Sequence, residues 1–457
     1  MAVAGGVMAT SLRIGGTTEV RNRLYRAPVL EGVGDVDDCA ERYAKVFLPN
    51  AEAGVGLIIQ GSACIYPEGR TSPGMTLIHT QERVTRLAPM VDAVHRAGAR
   101  IWLQAGHGGL YAMEAWHQPY ARERQGPLLA ASPLRWYLRP VFVRAPVHAM
   151  TTAEVRAMAD RYGDVAAWAR HAGYDGIQLA SSNAKLLDQF LSPFYNRRDD
   201  EFGGSVAGRG NVLRVIRQRV AERAGSDFTC TVKVPVAEQA PPFTPRASWH
   251  DGLELARLCQ EWGFDSVTPV VVSVLPDTTL SRGGIPWSLW RNPAMKARLR
   301  HAAPRRFERM VLEAGYVAGG LGSPFRPMWN RSVFTTVKRM LDIPVLAVGG
   351  IRSAAEADAI LDGNQADLVG MGRPFYAEPD LARRVLAASA RASVVAGNDP
   401  LAGDDPVAGN DPVAGNDPGR CQNSNLCVPA QMLGMKGTCY NPAVVRAGRA
   451  VTIEPAR

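Results

Sequence analysis

Strand and helix patterns alternate along the 457 residues, and this alternation predicts an α/β fold, a (β/α)8 TIM barrel. Between the predicted strands lie helical patterns in which apolar residues recur every three or four positions, as in 152–173. An open doubly wound sheet is the alternative, and the count of eight strands favours the barrel. The predicted strands are short apolar runs bounded by turn residues, at 24–30, 55–60, 101–105, 175–180, 229–234, 265–272, 344–349 and 367–372.

Two predicted connections are too long for simple crossovers, 106–152 after the third strand and 273–330 after the sixth. Both follow carboxyl ends of strands, where barrel enzymes build their sites, so we expect them to wall the site. Residues 393–418 repeat a short Gly/Asn/Asp/Pro phrase, which predicts a flexible linker. The expected organisation is a barrel over 1–392, this linker, and a small Cys-containing C-terminal segment over 419–457 that packs back on the barrel.

The composition is typical of a globular enzyme, with 46% hydrophobic and 21% charged residues. No apolar run reaches the roughly 20 residues that a membrane span requires. The N-terminus lacks a basic start followed by a long apolar block, and the seven cysteines do not resemble the disulfide framework of a secreted protein. We therefore expect a cytoplasmic protein with no membrane partner.

The net charge of +9 is concentrated in one segment, because residues 291–309 carry seven Lys or Arg and one acid, Glu308. A solvated helix face explains such a run more simply than nucleic acid does, so we expect no nucleic-acid partner. The same segment gives the hypothesis that the small-molecule substrate is anionic.

Glycines end the last two predicted strands. Gly349 and Gly350 follow the seventh, and Gly372 follows the eighth, directly before Arg373. Glycine lets backbone N–H groups approach a ligand closely, and Arg373 adds a cation beside a helix start. This pattern predicts an anion site, most simply for phosphate. The alternative is that these glycines only form tight connections.

Five motifs in order, at the ends of predicted strands, resemble the Old Yellow Enzyme family, the FMN-dependent NADH:flavin oxidoreductases, over residues 20–390. The resemblance implies FMN as cofactor and NADH or NADPH as hydride donor. The motifs are NRLYRAPV, GLIIQGSACI, RIWLQAGHGG, AGYDGIQLASSNAKLLDQFLSPFYNRRDDEFGGS, and AVGGI with GMGRP.

The resemblance also implies which residues hold the flavin. Gln104 would hydrogen-bond its pyrimidine edge. Lys233, where the family usually has arginine, would offset negative charge near flavin N1. The full implied cofactor set is Ala27, Pro28, Gly61, Gln104, Lys233, Gly349, Gly350, Gly372 and Arg373.

The substrate side departs from the family's pattern. At the end of the fourth strand the family usually has histidine, then asparagine or histidine, then tyrosine, whereas this chain has Ala180, Asn183 and Lys185. In the family, the first two of these residues donate hydrogen bonds to the carbonyl oxygen of the substrate. Loss of one donor removes on the order of 1–3 kcal/mol of stabilisation of the charge that develops on that oxygen, so we do not expect a simple enone as substrate.

Asn183, Lys185 and His107 are the catalytic candidates. Lys185 would donate a proton or pair with an anion, and the alternative is that it reaches solvent. For His107, a structural role is the alternative.

Three C-terminal cysteines, Cys421, Cys427 and Cys439, resemble the iron–sulfur motif of the dienoyl-CoA reductase and trimethylamine dehydrogenase relatives. Ser424 stands at the position expected for the second ligand. A [4Fe–4S] cluster needs four ligands, and a structural zinc would also be one ligand short. We therefore expect no metal, although the sequence leaves the cluster open.

The predicted function is that of an FMN-dependent enzyme that takes hydride from NAD(P)H and reduces an organic substrate other than a simple enone. Two alternatives stay open: an FMN-binding protein with lost turnover that serves as a partner or regulatory subunit, and a flavin-free barrel isomerase. The sequence leaves open the substrate, the choice between NADH and NADPH, and whether the chain forms a homo-oligomer.

Overall fold

The computed structural model describes residues 6–124, 126–142, 145–275, 277, 279–398 and 419–445. Its centre is a parallel sheet of eight strands paired in chain order, with the eighth returning to the first. A parallel bridge between Val267 and Val345 joins the sixth strand to the start of the seventh and closes the ring. The predicted TIM barrel is confirmed. The strands are β1 (Leu24–Arg26), β2 (Leu57–Cys64), β3 (Arg100–Gly106), β4 (Gly176–Leu179), β5 (Thr229–Gln239), β6 (Ser266–Ser273), β7 (Leu346–Val348) and β8 (Leu368–Met371).

Crossover helices cover the outside of the barrel, and their first turns follow local sequence signals. Thr151, Ser248 and Ser353 each form a capping box with the acid three residues later. The helices are α1 (Cys39–Glu52), α2 (Ala88–Arg96), α3 (Thr152–His171), α4 (Val206–Ala224), α5 (Trp249–Glu261), α6 (Arg331–Lys338), α7 (Ala354–Asp362) and α8 (Leu381–Asn398).

An N-terminal hairpin, Leu12–Ile14 with Thr18–Val20, packs against the amino ends of the strands. Thr18 Oγ1 donates to Asp175 O at 2.8 Å and accepts from Trp102 Nε1 at 2.8 Å. Ile14 and Val20 join an apolar cluster with side chains from inside the barrel. The hairpin therefore covers this end, and the carboxyl end is the face available to a ligand.

Both long connections are confirmed at the carboxyl end. The one after β3 contains the helix Gln118–Arg124 and a short parallel pair, Leu128–Ala130 with Val147–Ala149. The one after β6 contains the helices Ser288–Arg291, Pro293–Ala302 and Arg306–Gly322.

The described part of the C-terminal segment, 419–445, packs on both the barrel and the second connection. Gly437 N donates to Glu31 O at 2.7 Å, and Arg298 Nη1 donates to Leu433 O at 3.5 Å. Helix α8 runs to Asn398, beyond the expected barrel boundary at 392, because its helical backbone continues into the predicted linker. The rest of that linker, 399–418, lies outside the described residues. Within the described ranges, no helix is both long and apolar enough to cross a bilayer.

Candidate active site

Ala27, Pro28, Gly61 and Gln104 pack closely together at the carboxyl ends of β1, β2 and β3, and we call this group the cradle. A Cβ atom on Gly61 would lie 2.4 Å from Pro28 Cβ and 2.8 Å from Gln104 Oε1, so only glycine fits there. Ala27 is buried beside them, and its N–H donates to Met371 O at 2.9 Å. The four residues predicted to lie beside the flavin ring are therefore neighbours.

A row of buried amides crosses the barrel from this cradle. Gln104 Nε2 donates to Gln178 Oε1 at 2.8 Å, and Gln178 Nε2 donates to Thr268 Oγ1 at 3.3 Å. The row fixes the orientation of Gln104 and leaves its Oε1 beside Gly61. An acceptor at this position suits an imide N–H of a flat heterocycle.

The turns after β7 and β8 expose backbone donors. Gly349 and Gly350 have φ of 122° and 82°, and Trp329 packs against both. The N–H groups of Gly350, Gly372 and Arg373 donate to no acceptor among the described residues. Unpaired N–H groups gathered at two strand ends are suited to an anion such as phosphate.

The Arg373 side chain is engaged by the protein itself. Its Nη1 donates to Asn425 Oδ1 and its Nη2 donates to Arg282 O at 2.8 Å. The guanidinium thus ties the C-terminal segment to the connection after β6. Backbone N–H groups, rather than this fork, are the donors left for an anion.

The turn after β4 has two residues in the left-handed region, Asn183 (φ 63°) and Ala184 (φ 56°). Asp188 Oδ2 accepts from Ala184 N and Gln189 Nε2 donates to Ala184 O, both at 2.7 Å. These two bonds hold the strained turn, which brings Asn183 and Lys185 to the mouth of the barrel.

Lys185 and Lys233 are cations without counterions. Neither ammonium has a hydrogen-bond or ion-pair partner in the described part of the chain. Burial lowers the pKa of Lys185 to about 8. Burial and the charge of Lys185 lower the pKa of Lys233 to about 8. The nearby Cys64 thiol does not neutralise them, because burial raises its pKa to about 12.

Ser62, at the end of β2, was not among the predicted site residues. Its Oγ is buried and has no hydrogen-bond partner among the described residues. A Cβ atom on Gly106 would lie 3.1 Å from Ser62 Oγ, 2.9 Å from Ala180 Cβ and 3.9 Å from Lys185 Cδ. The position beside Gly106 is therefore filled by a hydroxyl and a methyl group, with the stem of a lysine next to them, so that a residue larger than glycine would not fit.

His107 packs beneath Gly69, whose Cβ position would be 2.2 Å from His107 Cδ2. His107 Nδ1 accepts from Gly109 N at 2.9 Å, and burial lowers its pKa to about 3. The imidazole is therefore neutral and cannot supply a proton as imidazolium. Its Nε2 is buried and has no hydrogen-bond partner among the described residues, and its catalytic role stays a prediction.

Residues 10–244 and 322–391 match the family described as NADH:flavin oxidoreductase / NADH oxidase. The chain belongs to this family. Its members are flavin oxidoreductases, which confirms the resemblance inferred from the motifs. The residues between the two matched ranges, 245–321, contain most of the connection after β6.

Among its relatives in the NADH:flavin oxidoreductase family, the metal reductase of Desulforamulus reducens is 26% identical over 372 residues, 81% of this chain and 48% of that protein. The 4,4'-dithiodibutanoate disulfide reductase of Rhodococcus erythropolis is 27% identical over 384 residues, 82% of this chain and 87% of that protein. The chain therefore spans about half the length of the first of these relatives.

The fold likeness extends to solved structures. The old yellow enzyme homologue from Zymomonas mobilis has a TM-score of 0.59 over 83% of this chain and 92% of that chain, at 21% identity. At this level of identity, the likeness shows a common fold and nothing further.

Three C-terminal cysteines that resemble a cluster motif of this family lie together, and the expected absence of a metal stays a prediction. Cys421, Cys427 and Cys439 line a cavity of about 20 Å³. Within the described ranges, no group of three His, Cys, Asp or Glu residues is arranged to hold a metal ion. Asn425, bonded to Arg373, lines the same cavity.

Proposed function

We propose that this protein binds FMN across the carboxyl end of the barrel and uses NADH or NADPH to reduce a small anionic organic molecule. The observation that carries the proposal is the match between two halves of one site. The closely packed cradle around Gly61 lies on one side, and unpaired N–H groups at Gly350, Gly372 and Arg373 lie on the other. A flat ring joined to a phosphate satisfies both.

Each residue of this site has a defined part in holding the cofactor. The cradle of Ala27, Pro28 and Gly61 would lie beside the ring, and Gln104 Oε1 would accept from its pyrimidine edge. The Lys233 ammonium would offset negative charge on the reduced ring. Bound FMN would supply hydride transfer between the nicotinamide and the substrate.

The substrate side supports an anion rather than a neutral enone. Ala180 offers no hydrogen-bond donor, whereas Lys185 offers a cation without a counterion. The relatives' named substrates, a metal and dithiodibutanoate, are too different to decide between substrate classes. The proposal therefore depends on this chain's own residues.

Rapid mixing of the FMN-loaded protein with NADPH, and separately with NADH, under anaerobic conditions tests the proposed function. We expect the flavin absorbance to bleach with at least one of them. A bound flavin that neither nicotinamide reduces would contradict the enzyme and favour an FMN-binding partner protein. A colourless protein that retains no FMN after reconstitution would favour the flavin-free barrel isomerase.

A further inference from the structure

We propose that the helix Arg306–Gly322 pairs through its outward face, in antiparallel orientation, with the same helix of a second copy of this chain. This helix, which we call the outer helix, belongs to the connection after β6. All but its last residue lie between the two ranges that match the family, so the family match does not account for this surface.

The inward side of the outer helix holds it against the rest of the protein. Leu312 and Tyr316 pack against a buried apolar cluster formed by the neighbouring helices and the C-terminal segment. One turn further on, Gly320 is buried, and a Cβ atom there would lie 3.0 Å from Ile285 Cα. These contacts determine which side of the helix faces outward.

The outward face is also apolar. Phe307 is 75% exposed, and the other large side chains of this face are each more than half exposed. A helix that is apolar on both sides normally has both sides covered, yet the described residues cover only the inward one. The residues of the face recur every three or four positions and are all exposed: Phe307, Met310, Val311, Ala314, Gly315, Ala318, Leu321 and Gly322.

The sizes of these residues favour a second copy of the chain as the partner. Apart from Leu321, the large side chains lie in the first half of the face and the small ones in the second. A Cβ atom on Gly315 would meet no atom within 4 Å among the described residues, although glycine destabilises the interior of a helix. In an antiparallel pair with its two-fold axis near Ala314, the large half of each copy packs on the small half of the other.

The charges at the two ends favour the same orientation. Arg305 and Arg306 are exposed at the N-terminal end, whereas the last turn, 319–322, reads GGLG. An antiparallel pair places the arginines of one copy beside the C-terminal end of the other, where the helix carbonyls carry partial negative charge. It also separates the two arginine pairs by the length of 17 residues, about 25 Å, beyond the screening length of about 8–10 Å. A parallel pair would bring them together.

A lipid surface is the alternative partner, because apolar side chains beside arginines also suit an anionic bilayer. The small residues of the face favour the second copy. Binding to a bilayer increases with the apolar area that is buried, to which glycine and alanine contribute little. Close packing of two helices, in contrast, requires small residues where the backbones approach.

Sedimentation equilibrium of the full-length protein over a range of concentrations measures the pairing. We expect a reversible dimer. Ala314→Glu should weaken it by roughly 10-fold or more, because it places two carboxylates near the two-fold axis. Ala157→Glu, at an exposed alanine of α3, is the matched control and should leave the dimer unchanged. Circular dichroism checks that both variants fold.

Cysteine cross-linking tests the orientation, and it does not depend on the folding of Ala314→Glu. Ala314→Cys should form a disulfide-linked dimer on mild oxidation, because the two Cβ atoms meet near the axis. Phe307→Cys should not link to itself, because antiparallel pairing places its two copies at opposite ends of the interface. The native protein, oxidised in the same way, shows the background from its own cysteines.

Four results would overturn the assignment: a monomer at all concentrations, a dimer that Ala314→Glu leaves unchanged, no disulfide in Ala314→Cys, or a disulfide between two copies of Phe307→Cys. A monomer that sediments with phosphatidylserine vesicles, and loses this binding in Val311→Glu, would also overturn it and would assign the face to a lipid surface. None of these measurements depends on bound FMN or on turnover.

Discussion

Two positive charges in this barrel, the buried Arg26 and the half-buried Lys185, have opposite surroundings. Arg26, at the end of β1, is 1% exposed and lies 2.6 Å from Glu31, with the rings of Phe47 and Tyr376 within 6 Å. Lys185, after β4, lies at the open mouth with no counterion among the described residues. Burial alone therefore does not indicate a functional site, whereas a charge without a partner is the more useful indication of one.

The largest effect should come from breaking the paired charge. Arg26→Met leaves the Glu31 carboxylate buried without its partner, which should lower the free energy of unfolding by about 3–5 kcal/mol. Urea denaturation at pH 7 measures the change. The exposed variant Arg42→Met is the control and should change stability by less than about 1 kcal/mol. Equal losses in the free energy of unfolding would show that the buried pair contributes no more to stability than the pair at the surface.

The cradle next to the unpaired cations can be tested through cofactor binding. Gly61→Ala would place a methyl group 2.4 Å from Pro28 Cβ, so FMN affinity should fall on the order of 100-fold. Fluorescence titration with FMN measures it. Gly315→Ala, a helical glycine with no atom within 4 Å of its Cβ position, is the matched control. An unchanged affinity in Gly61→Ala would exclude the cradle as the ring site.

Removing the charge of Lys185 should change the free energy of unfolding in the opposite direction from removing the charge of Arg26. Burial lowers the pKa of Lys185 to about 8, below the roughly 10.4 of an unfolded chain, so its protonation favours unfolding. The penalty is fully present below pH 8 and disappears as the pH rises towards 10.4. Lys185→Met should therefore raise the free energy of unfolding by about 1–2 kcal/mol at pH 7 and by nearly nothing at pH 10.5.

Urea denaturation of Lys185→Met at these two pH values measures the gain. A loss of stability at pH 7 would mean that Lys185, like Arg26, has a partner in the protein.

The smallest effect should come from the basic segment on the outer connection. Neutralising Arg298, Arg300, Arg305 and Arg306 should raise KM for the substrate or for NADPH by a few-fold, less at high salt, because exposed charges are screened. Steady-state kinetics at two ionic strengths check this. An unchanged KM would leave anion recognition to the barrel mouth alone.

Sequence patterns were sufficient for the barrel and for much of its mouth. Most strand residues are buried on both faces, so the strands read as mainly apolar runs, and the strand-end glycines identify close backbone approaches such as Gly61 and Gly350. Lys185 could be found from its position in the β4 motif. Local sequence patterns could therefore predict the strands and the residues at their carboxyl ends, because these depend on local backbone geometry.

What the sequence could not predict depends on contacts between distant segments. Nothing in the GMGRP motif indicates that Arg373 bonds Asn425, because that contact needs the docked C-terminal segment. The unpaired hydroxyl of Ser62 becomes visible only when β2, β3 and β4 are placed side by side. The packing of His107 beneath Gly69 also depends on a loop remote in sequence.

Reconstitution with FMN tests most directly whether the carboxyl end of this barrel is a flavin site. Purified protein is incubated with excess FMN and desalted, and its absorption spectrum is recorded. We expect stoichiometric flavin to stay with the protein. A desalted protein without flavin absorbance would contradict it.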